Sequence, residues 1–243
     1  MHTRLASASA LAIAMLAGSV YSRTAAPAVE AVRAVMTAQD TLKSVPLRDI
    51  IHGATGHSVK PFSPDSDPTD ALCREHIIKA ADAVLAWANS PECPIRRLRR
   101  INEASHYAED ELRKLLNTGD YTCDFPVTKA GTAQRSGYPD LRIEHKPTRR
   151  VWFLDPKLYE ATSRTSSLRT FYYEPRDLTG KIQDDASHLI LGLAHDGKDG
   201  AWTFTSWDLV DLYDFRVSLK AEFQAGNKEL YRKELLRASS AKR

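Results

Sequence analysis

An α/β sandwich, a central sheet whose strands are covered by helices, is the fold the sequence predicts. Three observations predict it. "DPTDALCREHIIKAADAVLAWANS" has the apolar spacing of a helix, "YPDLRIEH" and "RRVWFLDPKLYE" are extended runs joined by "KPTR", and "HLILGLAHDG" is an apolar run of strand length.

The elements follow in order. Residues 29–44 suit an amphipathic helix, and "KPFSPDSDPTD" (60–70) is a linker by composition. Thr69 or Asp70 can cap the next helix, where Leu72, Ile77, Ala80, Ala81, Val84 and Leu85 form an apolar stripe. "SPECP" ends it. A second helix is expected over about 95–117, with "NTG" as its stop. Strands follow at 121–127 and on both sides of the "KPTR" turn, where Pro147 suits the second turn position. "TGKIQDDAS" is expected to open a helix, "HLILGLAHDG" and "AWTFTSW" to be strands, and the chain from "DLVDLYDF" onward to be helical.

The domain plan expected from this is a secretory leader over 1–22, an extension and linker over 23–68, and the α/β domain over 69–243. The leader has Arg4 ahead of the apolar run "LASASALAIAMLAGSV", with Val20 and Ser22 suiting cleavage after Ser22. It implies a secreted or periplasmic protein; translation from Met36 would instead imply a cytoplasmic one. No later segment has the run of about 18 apolar residues that a membrane span requires. Cys73, Cys93 and Cys123 are odd in number and lack CxxC spacing, so one bridge with a free thiol or three buried thiols both fit. The four tryptophans, Trp87, Trp152, Trp202 and Trp207, read as core.

The net charge of +3 excludes nothing, but its distribution is uneven. Arg96, Arg97, Arg99 and Arg100 crowd one short segment, and 141–176 holds eight Lys/Arg against four Asp/Glu, a local +4. Such clusters are either contacts to backbone phosphates or solvated faces. Arg169, beside Tyr172 and Tyr173, is open to the same two readings, and so is Lys181 at the head of its expected helix. His188 reads as a core histidine, His195 and Asp196 as loop residues. No Ser-His-Asp or Cys-His arrangement and no glycine-rich phosphate loop is present.

Chemistry concentrates in the hairpin. Asp140 starts one strand; Asp155 and Lys157 lie near the end of its antiparallel partner, so the pairing brings them together. Two carboxylates with a lysine suit a hard cation such as Mg²⁺ or Mn²⁺, although spacing alone favours an Asp–Lys pair on a solvated hairpin.

"GYPDLRI…VWFLDPK" resembles the PD-(D/E)xK nuclease superfamily, with Pro139-Asp140 as the PD, fourteen residues between, and Asp155-Pro156-Lys157 as the DxK. "SSLRTFYYEP", "KIQDDASHLILGLAHDG" and "WDLVDLYDFRVSLKAEFQAGNKELY" are similar in order and wording to type II restriction endonuclease-like proteins. The likeness covers roughly residues 100–231. It implies a restriction endonuclease-like core, a central mixed β-sheet flanked by helices, with an N-terminal helical extension. It also implies a Mg²⁺-dependent endonuclease acting on double-stranded DNA and leaving a 3′-hydroxyl and a 5′-phosphate, and is compatible with a homodimer. Asp140, Asp155 and the Pro156 carbonyl would hold the metal, and Lys157 would position the attacking water. The superfamily places a further glutamate on the preceding helix, a third acidic group that would lie in the first or outer shell of the metal. Glu109 in "AEDELRKLL" matches it, whereas Glu103 and Glu111 lie on other helix faces. Pro156 departs from the family, which carries a small or β-branched residue there. Two alternatives are a catalytically inactive DNA-binding relative and an exported structural or interaction domain.

Overall fold

The computed structural model describes residues 25–167 and 171–238. The expected leader and Arg169 lie outside the described residues. The chain divides into two compact units, one spanning Val45–Val217 and one formed by the flanking segments. In the flanking unit, helix α1 (Ala25–Thr41) is followed by a short connection. Its Leu42 carbonyl accepts from Leu219 N at 2.8 Å, and Gln39 Oε1 accepts from Ala221 N at 2.9 Å.

The larger unit is built on a five-stranded sheet of β2 (Tyr121–Asp124), β3 (Leu141–His145), β4 (Arg150–Glu160), β5 (Ser187–His195) and β6 (Phe204–Asp211), in that order. Only β4 and β5 run parallel, so the sheet is mixed. The expected restriction endonuclease-like architecture is present: a central mixed sheet flanked by helices. A short β1 (Val45–Pro46) pairs with β7 (Arg216–Val217) in a separate ribbon.

The two-residue period of β4 divides the core. Trp152 and Leu154 join Leu141, Ile143, Leu189 and Leu191 beneath helices α3 (Pro68–Ala88) and α4 (Ser105–Leu116), whose Ile77, Val84, Leu112 and Leu116 are fully buried. Val151 and Phe153 face the other way, against Leu47 and Ile51 of α2 (Leu47–Thr55) together with Val59, Ile182 and Leu212. Each large side chain buried this way contributes about 1.5–3 kcal/mol. Cys73, Cys93 and Cys123 are free and buried, which decides for three thiols over one bridge.

Five expectations need correction. His195, read as a loop residue, ends β5 and is buried against Trp202 and Phe204. The cap of α3 is Asp67, whose side chain accepts from Thr69 N and Asp70 N with Pro68 in the first turn, so Thr69 and Asp70 lie inside the helix. The helix expected over 95–117 is instead two 3-10 turns, Pro94–Arg97 and Ile101–Glu103, ahead of α4. Leu98 is extended between them, where its carbonyl accepts from Trp202 Nε1 at 2.7 Å. "TGKIQDDAS" is irregular rather than helical and runs into β5 at Ser187. Lys181, Ile182 and Ala186 are buried, and Ala186 bonds to the 58–60 segment, so tertiary contacts outweigh local propensity. The helix expected from Asp208 onward is also absent. Trp207 and Leu209 alternate inward as the strand β6, and one turn at Asn227–Leu230 is the only helix after it among the described residues.

Asp70 ties these parts together. Its carboxylate, 1% exposed, accepts from Trp152 Nε1 at 2.8 Å, Arg150 Nε at 3.3 Å and the Ser63 amide at 2.8 Å. Helix α3, strand β4 and the loop before α3 therefore share one buried anion. Replacing Asp70 by Ala leaves three donors without an acceptor and should lower stability by about 3 kcal/mol. In urea unfolding this appears as a lower midpoint at unchanged slope.

Candidate active site

The hairpin register sets the site. Leu141 pairs with Leu154 and His145 with Arg150 around the 146–149 turn, so Asp140 and Asp155 fall opposite each other just beyond the end of β3. From Asp155 onward β4 is paired only with β5. Asp155 and Lys157 continue the side of β4 that carries Val151 and Phe153. The Lys157 ammonium contacts Asp155 and lies 3.9 Å from Asp140 Oδ2.

A cleft of about 300 Å³ opens over this end of the sheet, lined by Asp140, Asp155, Pro156 and Lys157. Glu109 with Asn102 and Ser105 forms its helical wall, and Arg135, Tyr138 and Tyr172 complete the lining. The structure thus gathers Glu109, Asp140, Asp155, Pro156 and Lys157 around one space. Glu109, though, is engaged by Arg135, whose Nη2 donates to its Oε2 at 3.1 Å. Among the described residues no group of three or more His, Cys, Asp or Glu side chains is disposed to hold a metal, so the near pair is Asp140 with Asp155.

The remaining expected residues are placed differently. Lys181, read as a phosphate contact, is 3% exposed, and its ammonium donates to the carbonyls of Gln134 and Arg135, each at 3.2 Å. Burial pulls its pKa down, while Asp140, Asp155 and Glu109 oppose that pull. It braces the loop ahead of Asp140 and does not reach outward. Arg97, Arg99 and Arg100 are exposed, Arg96 is half-buried with Nη1 donating to the Asn89 carbonyl, and none of the four lines the cleft. Glu103 is exposed and Glu111 contacts Lys114, both away from the cleft. His188 is a core residue. Burial pushes its pKa down to about 3, and Nδ1 shares a 2.7 Å hydrogen bond with the Tyr138 hydroxyl. Arg135, Tyr138, Asn102 and Ser105 escape a reading of the sequence. Arg135 has only its place in "AQRSGYPD", five residues before Asp140, to mark it.

The type II restriction enzyme MjaV family has a profile that matches residues 41–234, a span containing every cleft residue named above. The chain belongs to the MjaV family. The type II restriction enzyme MjaV of Methanocaldococcus jannaschii is 33% identical to it over 144 residues, 57% of this chain and 62% of that protein. The chain therefore spans a little under two thirds of the length of that relative. No solved structure matches it. Membership bears out the likeness to type II restriction endonuclease-like proteins seen in "SSLRTFYYEP", "KIQDDASHLILGLAHDG" and "WDLVDLYDFRVSLKAEFQAGNKELY".

The chemistry of the pair fits a divalent cation. Asp155 is 1% exposed, and apart from its contact with Lys157 neither of its oxygens has a hydrogen-bond partner. A buried carboxylate so under-coordinated suits a hard cation. Burial and then the Asp155 charge push the Asp140 pKa from its ordinary 3.8 up to about 8, with Lys157 opposing. Burial pulls the Lys157 pKa down, but Asp155 and Asp140 more than offset that, leaving it raised.

The Asp140 shift has a stability consequence. Between roughly pH 4 and pH 8 the folded protein holds a proton that the unfolded chain has released, so this group's contribution falls as pH rises through that window. The metal-free protein should melt lower at pH 8.5 than at pH 5. Asp140→Asn, which removes the charge and keeps the shape, should raise the pH 8.5 melting temperature by roughly 5 °C and alter the pH 5 value far less. Differential scanning calorimetry with chelator across that range is the measurement.

Proposed function

We propose that this MjaV-family chain is a divalent-metal-dependent endonuclease that hydrolyses phosphodiester bonds in double-stranded DNA. The observation that carries the reading is the buried Asp155 carboxylate, opposite Asp140 and in contact with Lys157, at the floor of a cleft open to a phosphate. Family membership supports the substrate class.

Asp140 and Asp155 would hold the cation, Mg²⁺ or Mn²⁺, with the Pro156 carbonyl beside them. When bound, such a cation polarises a phosphoryl oxygen and lowers the pKa of coordinated water. The chain's own contribution begins with Lys157. In the metal-free protein the neighbouring Asp155 and Asp140 outweigh burial and raise its pKa, so it stands there as an ammonium able to donate hydrogen bonds. It can orient water for in-line attack or offset charge developing on the phosphoryl oxygens. Water adds to phosphorus as the bond to the 3′ oxygen breaks, leaving a 3′-hydroxyl and a 5′-phosphate. Asn102 and Ser105 in the helical wall can donate to the DNA backbone. Arg97, Arg99 and Arg100, being exposed, are free to add sequence-independent phosphate contacts.

Pro156 is compatible with this chemistry. It lies where β4 has lost its β3 neighbour, so a missing N–H directed to that open edge forfeits no ladder bond. The N–H and C=O of one strand residue point to the same edge, which leaves the Pro156 carbonyl free for a ligand there.

Supercoiled plasmid incubated with Mg²⁺ or Mn²⁺ should be cut by the native protein. Asp155→Ala and Lys157→Ala should each slow cutting by roughly 10²–10³-fold, with circular dichroism showing the fold retained. Plasmid left intact by folded native protein in both metals would reject the enzymatic reading, and salt-sensitive binding without cutting would favour the inactive DNA-binding relative.

A further inference from the structure

Arg135 is engaged in a way that a simple surface ion pair does not require. It stands on the segment joining β2 to β3, between Gly131 and Gly137, whose φ values of 82° and 81° favour glycine. Its Nη1 meets both oxygens of Asp110 at 3.0 and 3.1 Å. Its Nη2 donates to the His106 carbonyl at 2.9 Å and to Glu109 at 3.1 Å, and its guanidinium lies 4.4 Å from the centre of the Phe125 ring. The two partners in the Glu109 pair differ in access. The Glu109 side chain is 10% exposed and faces the cleft, whereas that of Arg135 is 41% exposed.

A carboxylate this buried, on the wall of a cleft that already holds two others, is costly unless paired. Arg135 supplies the pairing. So long as it does, Glu109 lines the cleft with Asp140 and Asp155 but, paired to Arg135, does not join them in a three-carboxylate set among the described residues. A guanidinium fork fits phosphate as well as it fits carboxylate, and this one lines the space into which a DNA phosphate would move.

We propose that Arg135 is a DNA-operated latch on Glu109. In the free protein it holds Glu109 away from the metal-binding aspartates; a backbone phosphate of incoming DNA takes over the guanidinium and releases Glu109 toward them. This rests on the metal-dependent nuclease reading above and adds an order of events to it. DNA binding raises metal affinity through a freed carboxylate, and by linkage the metal raises DNA affinity equally. Arg135 acts through Glu109 and is a positioning residue.

The test uses the full chain and needs no turnover. Mn²⁺ binding without DNA is measured by titration calorimetry for the native protein, R135Q, E109Q and the double variant. R135Q should bind Mn²⁺ about fivefold or more tightly than the native protein, the low end of ordinary coupling energies. E109Q should remove that gain, so the double variant should match E109Q alone. In chelator, the salt dependence of duplex binding should fall by about one unit of slope in R135Q. An Arg135 that merely stabilises the fold would lower the melting temperature and leave Mn²⁺ affinity unchanged or weaker, overturning the latch. If R135Q melts early, R135K, which keeps the charge and loses the fork, should show a smaller gain; no gain there overturns the proposal as well. Mn²⁺ uptake indifferent to Arg135 rejects the latch alone, whereas no uptake by any variant rejects the metal-dependent reading and the latch with it.

Discussion

Two carboxylates brought face to face at a strand end, with one ammonium between them, set the terms for everything around the cleft. Asp140 and Asp155 cannot both remain charged and buried without help, and Lys157 provides a single positive charge for the two. The strain shows in Asp140, whose pKa rises to about 8, and in Asp155, whose oxygens have no hydrogen-bond partner beyond their contact with Lys157. The surroundings fit that imbalance. Lys181 is buried close enough to feel all three carboxylates, and Arg135 takes up Glu109. Carboxylates and cations, three of each, share one end of the sheet.

Holding such a cluster requires a rigid floor, and the fold supplies it through β4. That strand pairs with β3 from Arg150 to Leu154 and with β5 from Trp152 onward, and carries core residues on both faces. Asp70 anchors the first half by accepting from Trp152 and Arg150. The second half, Asp155 onward, loses the β3 neighbour and opens to the cleft. The two ends of one strand thus differ, with the buried network at one and the under-coordinated Asp155 carboxylate toward the other.

The hairpin was legible in the sequence because its information is local. A proline-marked turn and two extended runs fix an antiparallel register, and the register alone places Asp140 against Asp155. The β5 strand was legible for a similar reason, as a continuous apolar run. What escaped depends on distant partners. Leu98 gives up helix to bond Trp202, "TGKIQDDAS" gives up helix to bury Lys181, Ile182 and Ala186, and β6 extends through "WDLVD" because Trp207 and Leu209 meet a core that their neighbours do not announce. Lys181 reads as a surface cation for the same reason. A lysine's destination is set by what folds over it, and here two loop carbonyls do. Arg135 had no signal of its own beyond proximity to Asp140.

Pro156 marks the limit of reasoning from the strand alone. In a strand hydrogen-bonded on both edges, proline removes a ladder bond and argues against the assignment. The sheet order changes that inference, because β3 ends opposite Leu154 and the proline follows two residues later. At an open edge the missing donor is harmless, and the same vacancy leaves a carbonyl that no neighbouring strand consumes. "WFLDPKLYE" therefore tolerates its proline for the reason that it can serve a site: both follow from β3 being shorter than β4. Extending β3 past Asp140 would pair the carbonyl, cover the cleft and make the proline intolerable.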